Sequence, residues 1–324
     1  MALSDMEVFN QYFMPATIET LAQEVEKFNE ASGGAILLTT DGFDGNFLQT
    51  SFYQSLVAAR RRVGRFGPNN EVASVDLTQL EHNTVKVAGG FGPVRYEPSQ
   101  MTWLRKPTRE GVEVASRAFA EAMLQDQLNT TIAALVAAIG NQGETTTVDV
   151  SGDSPLDYET VNESHALFGD NSSRLVAEIM SGRSYHSFVG QNLRNENALF
   201  SAGSVRVVDI LGKLVVVTDA PALYTPASGE DAAKRRVLSL VQGGASVHDG
   251  RDIISNIQTT NGRDRIETTL QVDYSFGIGL RGYSWDTGNG GASPSDAALA
   301  TGANWNMDVS DVKHSAGVLA VGAA

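Results

Sequence analysis

The sequence contains no cysteine, which excludes disulfide bonds, thiolate metal sites and cysteine nucleophiles together. Basic residues are also scarce. The 24 lysines and arginines face 38 aspartates and glutamates, so the formal net charge is −14. Nucleic-acid affinity comes largely from basic side chains that displace counterions from phosphates. The charge balance therefore argues against a sequence-specific DNA- or RNA-binding protein.

Long apolar runs are missing as well. None approaches the roughly 18 residues that a membrane-spanning helix needs, and the residues after Met1 do not resemble a secretory signal. The chain has 324 residues, of which 42% are apolar and 19% charged, as expected for a folded protein with a large core. Cytoplasmic synthesis is the simplest expectation, and the length predicts about two domains.

Catalytic and metal-binding motifs are lacking too. The five histidines are at positions 82, 165, 186, 248 and 314. No two of them form an HxxxH or HxH pair, and no GxSxG nucleophile motif occurs. Residues 277–282 match GxGxxG, but no helical pattern follows, so we interpret these glycines as easing a bent strand. The sequence thus predicts no enzyme, no cofactor and no metal site.

What the sequence does contain is an unusually long helical pattern at residues 108–139. Pro107 and Thr108 suit a helix start, and Gly140 suits a helix end. At 1.5 Å per residue the helix would be about 48 Å long. We therefore expect a single rod around which other elements pack.

The two halves of this helix differ in charge. The first half carries Glu113, Arg117 and Glu121, the first two at the i,i+4 spacing of an ion pair. No charged residue occurs between Asp126 and Glu144, and alanines flank the larger apolar residues there. We expect the first half to lie near solvent or a subunit boundary, and the second half to be buried with other backbone close to it.

The N-terminal region predicts a second helix at residues 3–31, with its regular part beginning at Pro15. Between residues 35 and 106, strand-like segments alternate with Gly- and Pro-rich turns, and residues 49–62 suit a short helix. This region has no strong hydrophobic stripe of its own. We therefore interpret this region as an extended segment that needs a neighbour to pack against.

The second half of the chain has α/β character. Leu175–Met180 reads as an apolar strand, after which Ser181 caps a helix. Residues 204–210 and 213–218 suggest a hairpin whose second strand, a continuous apolar run, is buried on both faces. Residues 265–285 alternate in the manner of one long strand.

One basic cluster stands out against the acidic composition: Arg60, Arg61, Arg62 and Arg65. These side chains either cover a solvated helix end or meet acidic surface on another subunit. Contact with nucleic acid is the weakest interpretation, because no aromatic residues that could stack on bases are interleaved with the arginines.

The order of these parts resembles the major capsid proteins of tailed bacteriophages, whose fold is shared with encapsulin shells. Four segments are similar to that family in their residue pattern as well as in their order: residues 10–34, 175–188, 203–222 and 268–285. The resemblance covers most of the chain.

The resemblance implies an α+β capsid fold with four parts. They are an N-terminal arm (1–34), an extended loop (35–90), a peripheral domain (91–147 and 262–324) with the spine helix at 108–139, and an axial domain (148–261). Some family members cross-link their subunits through Lys and Asn side chains. Lys86 lies in the extended loop, but no partner can be assigned to it.

The function implied is structural. Copies of the chain would form hexamers and pentamers of an icosahedral head that encloses double-stranded DNA without sequence-specific binding. Expected partners are a separate scaffolding protein, a portal and a decoration protein, with assembly in the host bacterial cytoplasm and no membrane. The candidate inter-subunit contacts are Arg60, Arg61, Arg62, Arg65, Glu113, Arg117 and Glu121.

Three alternatives remain at this stage. An encapsulin-like compartment shares the fold but should carry a cargo-peptide groove, and no segment suggests one. A cytoplasmic α/β enzyme would need the catalytic residues that are missing. A β-rich tail or adhesin protein is disfavoured by the two long helical segments.

Overall fold

The structure is a computed structural model of the chain. It describes residues 3–39, 47–53, 79–96, 108–152, 154–194, 213–229, 232–250, 252–262, 264 and 266–324. The α-helices in these ranges are α1 (Leu3–Ala31), α2 (Thr108–Gly140), α3 (Tyr158–Ala166), α4 (Gly182–Arg194), α5 (Thr287–Gly290) and α6 (Asp296–Leu299). Short 3-10 helices lie at Gly143–Thr145, Gly169–Arg174, Pro221–Leu223, Gly302–Asn304 and Val312–His314.

The described strands form two sheets. They are β1 (Ile36–Thr39), β2 (Phe47–Tyr53), β3 (Gln79–Tyr96), β4 (Thr147–Asp149), β5 (Leu175–Met180), β6 (Leu214–Val217), β7 (Tyr224–Thr225), β8 (Lys234–Val241), β9 (Ala245–Asp249), β10 (Ile254–Thr260), β11 (Glu267–Leu280), β12 (Tyr283–Trp285), β13 (Trp305–Met307) and β14 (Gly317–Ala323). One sheet has the order β1-β9-β11-β12-β13, with β3 and β10 also pairing with β11 and β2 pairing with β3. The other has the order β4-β14-β8-β5-β6, with β7 beside β8.

Helix α2 confirms the predicted rod almost residue for residue, with 33 residues and a length of about 50 Å. The difference between its halves is also observed. Arg117 and Glu121 are exposed, whereas Ile132, Leu135 and Ile139 are at most 2% exposed. These three side chains belong to one apolar cluster that includes residues of both sheets. The uncharged half of α2 is therefore the element that both sheets share.

Strand β11 is the centre of the eight-stranded sheet. It pairs antiparallel with β3, β9, β10 and β12, which explains the long alternating pattern in the sequence. The GxGxxG match lies at the end of β11 and in the turn to β12, where Gly282 has a φ of +78° that favours glycine. This confirms that these glycines shape a strand and its turn, and that they do not open a helix.

The two sheets do not follow the linear sequence. Strands β9 and β10, from the range 148–261, pair in the eight-stranded sheet with β11. Strand β14, from the range 262–324, inserts between β4 and β8 of the six-stranded sheet. After contributing strands to the eight-stranded sheet, the chain thus returns to the six-stranded sheet with its last strand. This crossing connects the two sheets.

Helix α1 begins at Leu3, so the prediction that the regular helix starts at Pro15 is wrong. An internal proline removes one backbone hydrogen bond, but the turns on both sides of Pro15 supply others. The 3–4 spacing of Ile18, Leu21, Val25 and Phe28 predicts one apolar helix face. Leu21, Val25 and Phe28 do pack against the main apolar cluster, whereas Ile18 is 51% exposed. Packing of this face outweighs the local penalty at the proline.

Two other local predictions are wrong. The described part of the expected helix at residues 49–62 lies in β2, which pairs with β3 up to Tyr53 opposite Gln79. The apolar run of β6 is not buried on both faces, since Leu214 and Val217 are 45% and 49% exposed. Strand β6 pairs parallel with β5, and its expected hairpin partner, residues 204–210, lies outside the described residues.

A polar contact fastens β11 to α2. The Tyr274 hydroxyl donates a hydrogen bond of 2.5 Å to Asp126 Oδ2, and the Phe91 ring stacks on the Tyr274 ring with centroids 5.6 Å apart. A Cβ atom on Gly89 would lie 2.8 Å from the Tyr274 ring, so glycine is needed there. Burial, followed by the hydrogen bond to Asp126, raises the pKa of Tyr274 and keeps the phenol protonated.

The close packing of α2 predicts that Ala138→Leu will destabilise the protein by about 1–3 kcal/mol, because the added atoms overpack a fully buried site. Ala118→Leu is the matched control, since Ala118 is exposed on the same helix. It should change the free energy of unfolding by less than about 0.5 kcal/mol. Chemical denaturation of the unassembled subunit measures both. Equal effects of the two substitutions would contradict the packing described for α2.

The contact between Tyr274 and Asp126 predicts a loss of about 1–3 kcal/mol in Tyr274→Phe. The exposed Tyr224 supplies the control Tyr224→Phe, which should be near neutral. The pKa of a tyrosine in the unfolded chain is about 10. Because the folded pKa is higher, the stabilisation is complete below about pH 10 and declines as the pH rises above it.

Denaturation between pH 8 and 11 should therefore show a shallower alkaline decline in Tyr274→Phe than in the unaltered chain. Identical alkaline slopes would mean that the Tyr274 phenol is not protected by the fold.

Candidate functional site

The contact residues predicted from the sequence fall into two groups. Arg60, Arg61, Arg62 and Arg65 lie outside the described residues, as does the side chain of Glu113. Arg117 and Glu121 lie one turn apart on α2, and both are exposed. Their exposure is compatible with a subunit boundary, and their role there stays a prediction.

Lys86 has a partner within its own chain. Its Nζ lies 3.0 Å from Asp252 Oδ2, and Ser275 Oγ donates a 2.5 Å hydrogen bond to Asp252 Oδ1. Burial alone would raise the pKa of Asp252, but the hydrogen bonds from Ser275 and Lys86 outweigh it and hold this pKa below its usual value. The cluster ties β3 to β11 and to the segment between β9 and β10, which is a structural role for Lys86.

A buried group of polar side chains lies in the six-stranded sheet and was not anticipated from the sequence. His165 Nε2 is 3.0 Å from Ser239 Oγ and 3.3 Å from Glu178 Oε1. Glu178 and Ser239 are 0% exposed and His165 is 6% exposed. Although the histidine is within ion-pair distance, neither Glu178 oxygen has a hydrogen bond of good geometry. The one available signal was a glutamate inside the apolar strand Leu175–Met180.

Serine, histidine and glutamate are the components of a hydrolase triad, but their arrangement here is not that of one. A triad histidine receives the serine proton on one ring nitrogen and contacts the acid through the other. Here both neighbours face the same nitrogen, Nε2. The serine hydroxyl is also closed off from any substrate. The group therefore links α3 to β5 and β8 inside the core and carries no chemistry.

The other histidines are dispersed. His248 Nδ1 lies 3.1 Å from Thr39 Oγ1, His186 and His314 are exposed, and the side chain of His82 lies outside the described residues. Within the ranges that the structure describes, no group of three or more His, Asp or Glu side chains could hold a metal ion. None of the described helices is both long and apolar enough to cross a membrane.

Several large apolar side chains of the described residues are exposed. Ile254, Ile266 and Val94, on the β10–β11 hairpin and the adjoining end of β3, are 66%, 55% and 54% exposed. They do not form one patch, because Ile254 pairs with Asp273, seven positions along the chain from Ile266, whereas Val94 pairs with Leu270. Exposed large apolar side chains are suited to burial against other molecules.

Similarity to solved structures agrees with this picture. The chain aligns with the structure of the Cyanophage Pam1 capsid asymmetric unit over 89% of its own length and 88% of the other chain, at 11% identity and a TM-score of 0.54. It also aligns with a structure from Microbacterium phage Oxtober96 over 90% of each chain, at 13% identity and a TM-score of 0.49. The first likeness confirms the predicted α+β capsid fold.

No curated protein matches the chain. Residues 5–319 match the family described as Major capsid protein 13-like. That match spans nearly the whole sequence and includes both sheets and both long helices. The chain therefore belongs to the Major capsid protein 13-like family.

Proposed function

We propose that this protein is the structural subunit of the head of a tailed phage, where copies of it assemble into an icosahedral shell around double-stranded DNA. The observation that carries this conclusion is the family match over residues 5–319. A major capsid protein acts by forming a wall, so the role is structural and not enzymatic. The virion capsid is its place of action.

The physical properties of the subunit support this role. Ile254, Ile266 and Val94 are exposed apolar side chains that neighbouring subunits would cover. The net charge of −14 suits a wall that confines DNA without binding its phosphates. Closed symmetric shells let identical copies bury such surfaces without open-ended growth.

We extend the proposal to the parts of the subunit. Residues 1–34 form the arm, residues 35–90 the extended loop, residues 91–147 and 262–324 the peripheral domain, and residues 148–261 the axial domain. Helix α2 is the spine of the peripheral part. The six-stranded sheet with α3 and α4 is the centre of the axial part, to which β14 contributes its strand from the end of the chain.

The extended loop is proposed to reach over a neighbouring subunit. Its base is fixed, because Val85 and Val87 on β3 are at most 3% exposed and pair with β11. Tyr53 and Gln79 are direct partners in the β2–β3 ladder, so residues 54–78 leave and return at one point. A segment held in this way is suited to wrap a neighbour and enlarge the shared surface.

The remaining partners are proposals of the same kind. Pentamers and hexamers of this chain would surround a separate scaffolding protein during assembly in the host cytoplasm, with a portal at one vertex and a decoration protein outside. Arg117 and Glu121, together with the arginines at positions 60, 61, 62 and 65, are proposed contacts between subunits. The arginines would form ion pairs with acidic side chains of a neighbouring subunit, and Glu121 would pair with a basic side chain there.

Electron microscopy tests the function directly. The chain, expressed alone and together with the products of neighbouring genes, should form closed shells of uniform diameter. Light scattering of the same samples should show particles far larger than a hexamer. A chain that stays monomeric under every condition and turns over a small molecule would contradict the capsid function.

The extended loop gives a second prediction. Replacing residues 54–78 by a four-residue Gly-rich turn should leave a folded subunit, because the turn closes the ladder at Tyr53 and Gln79. Such a subunit should form free capsomers or monomers but no shells. A Gly-Ser linker of the original length is the matched control for length alone, and it should also fail to form shells. Normal shells from either variant would show that this segment does not hold neighbours together.

A further inference from the structure

A pocket of about 460 Å³ opens at one end of the six-stranded sheet. It lies beyond the carboxyl ends of the parallel strands β5 and β6, beside the start of α4. Its lining residues are Ser181, Arg183, Asp219, Ala220, Pro221, Tyr224, Pro226 and Arg235. In open sheets of parallel strands this edge is the usual place for ligands.

Several backbone amides at the start of α4 already have hydrogen-bond acceptors. Ser181 Oγ accepts a hydrogen bond of 3.2 Å from the Ser184 amide, as the sequence predicted. Asp219 Oδ1 accepts one of 3.1 Å from the Gly182 amide. The helix start itself therefore does not call for an added anion, and any ligand must be recognised by the side chains around it.

Two arginines in the pocket lack a carboxylate partner within the described residues. Neither Arg183 nor Arg235 forms an ion pair with a carboxylate of the described residues, and the buried Nε of Arg235 has no hydrogen-bond acceptor. Burial, followed by the charge of Arg183, lowers the pKa of Arg235. The adjacent Arg236 is different, since its Nη1 donates to Ala222 O at 3.2 Å and to Thr225 Oγ1 at 2.7 Å.

Two neighbouring arginines without an ion pair among the described residues are unusual in a chain that has 38 acidic and 24 basic residues. The carboxylate that lines the same pocket, Asp219, accepts a hydrogen bond from the Gly182 amide instead. The mutual repulsion of the two arginines and the lost hydration of Arg235 both oppose folding in the isolated subunit. An anion between them would offset both penalties. Guanidinium groups bind carboxylates through paired, charge-assisted hydrogen bonds, which makes a carboxylate a well-matched occupant.

The rim of the pocket favours a protein as the source of that carboxylate. Tyr224 is 41% exposed, and Pro221 and Pro226 are also exposed. Arginine and tyrosine beside apolar residues are typical of the centres of protein interfaces. A free inorganic anion would gain nothing from this apolar border.

We propose that this pocket is a contact site between copies of the chain, in which Arg183 and Arg235 bind a carboxylate side chain of a second copy. The inference rests on the proposed function, because shell assembly is what supplies the second copy. The surplus of acidic residues on every copy makes a carboxylate the charged group most available to meet the pair. The contact would hold the six-stranded sheets of neighbouring subunits together.

The first test removes the charges. In Arg183→Gln combined with Arg235→Gln, the concentration needed for assembly should rise at least about tenfold, as for other truncated charge pairs at interfaces. The melting temperature of the unassembled subunit should stay equal or rise, because a repulsion is lost. Arg174→Gln is the control: Arg174 is exposed at the opposite end of β5 and should leave assembly unchanged.

The second test finds the partner group. Arg183→Lys places an amine in the pocket, and a carbodiimide can join that amine to a carboxylate in contact with it. In shells assembled from a mixture of ¹⁴N- and ¹⁵N-labelled subunits, the cross-linked peptides should combine the two labels. Cross-links confined to one chain, such as to Glu230 or Asp231, would overturn the proposal in favour of a closure within the subunit.

The outcomes separate this inference from the proposed function. If the unaltered chain forms no shells, the proposed function fails first. If the unaltered chain and the double variant assemble at the same concentration, the function stands and the pocket is not a contact site. If Arg174→Gln weakens assembly as much as the double variant does, the effect comes from net charge and the pocket proposal is again overturned.

Discussion

The burial of the uncharged half of α2 is the constraint on which the rest of the fold depends. Two sheets of different topology reach the same stretch of helix, and they can do so because Ala134 and Ala138 leave room for them. A charge or a large side chain at either position would force one sheet away. The gain from burying apolar surface on both sides then holds the two layers as one body.

The sequence revealed those elements whose signals are local. The length of α2, strand β5 followed by the Ser181 cap, and the alternation of β11 each depend on neighbours in the chain. Pairing between distant segments was not readable in this way. The local pattern of β2 favoured a helix, although the segment pairs with β3 as a strand. The apolar run of β6 favoured a buried strand, although two of its side chains are exposed. In each case tertiary contacts decided the outcome against local propensity.

The same division applies to the candidate site. The absence of catalytic motifs was visible directly, and so was the acidic charge. The pocket with Arg183 and Arg235 could not be predicted from the sequence. The two arginines are 52 positions apart and adjoin only because α4 and β8 meet at one edge of the sheet. Glu178 offered a weak signal as the charged residue in an apolar strand. Sequence spacing carries no information about which side chains a sheet brings together.

The register of β3 against β11 has a mechanical consequence. The ladder runs from Tyr96 opposite Thr268 to Val85 opposite Ile278, with one irregularity between Leu270 and Val272. A pull on the loop along the strand axis would load these hydrogen bonds side by side, so that they resist together in shear. A pull across the strands would open them one after another. The base of the loop is therefore strong along the direction in which β3 runs and weak across it, which makes the subunit an anisotropic anchor.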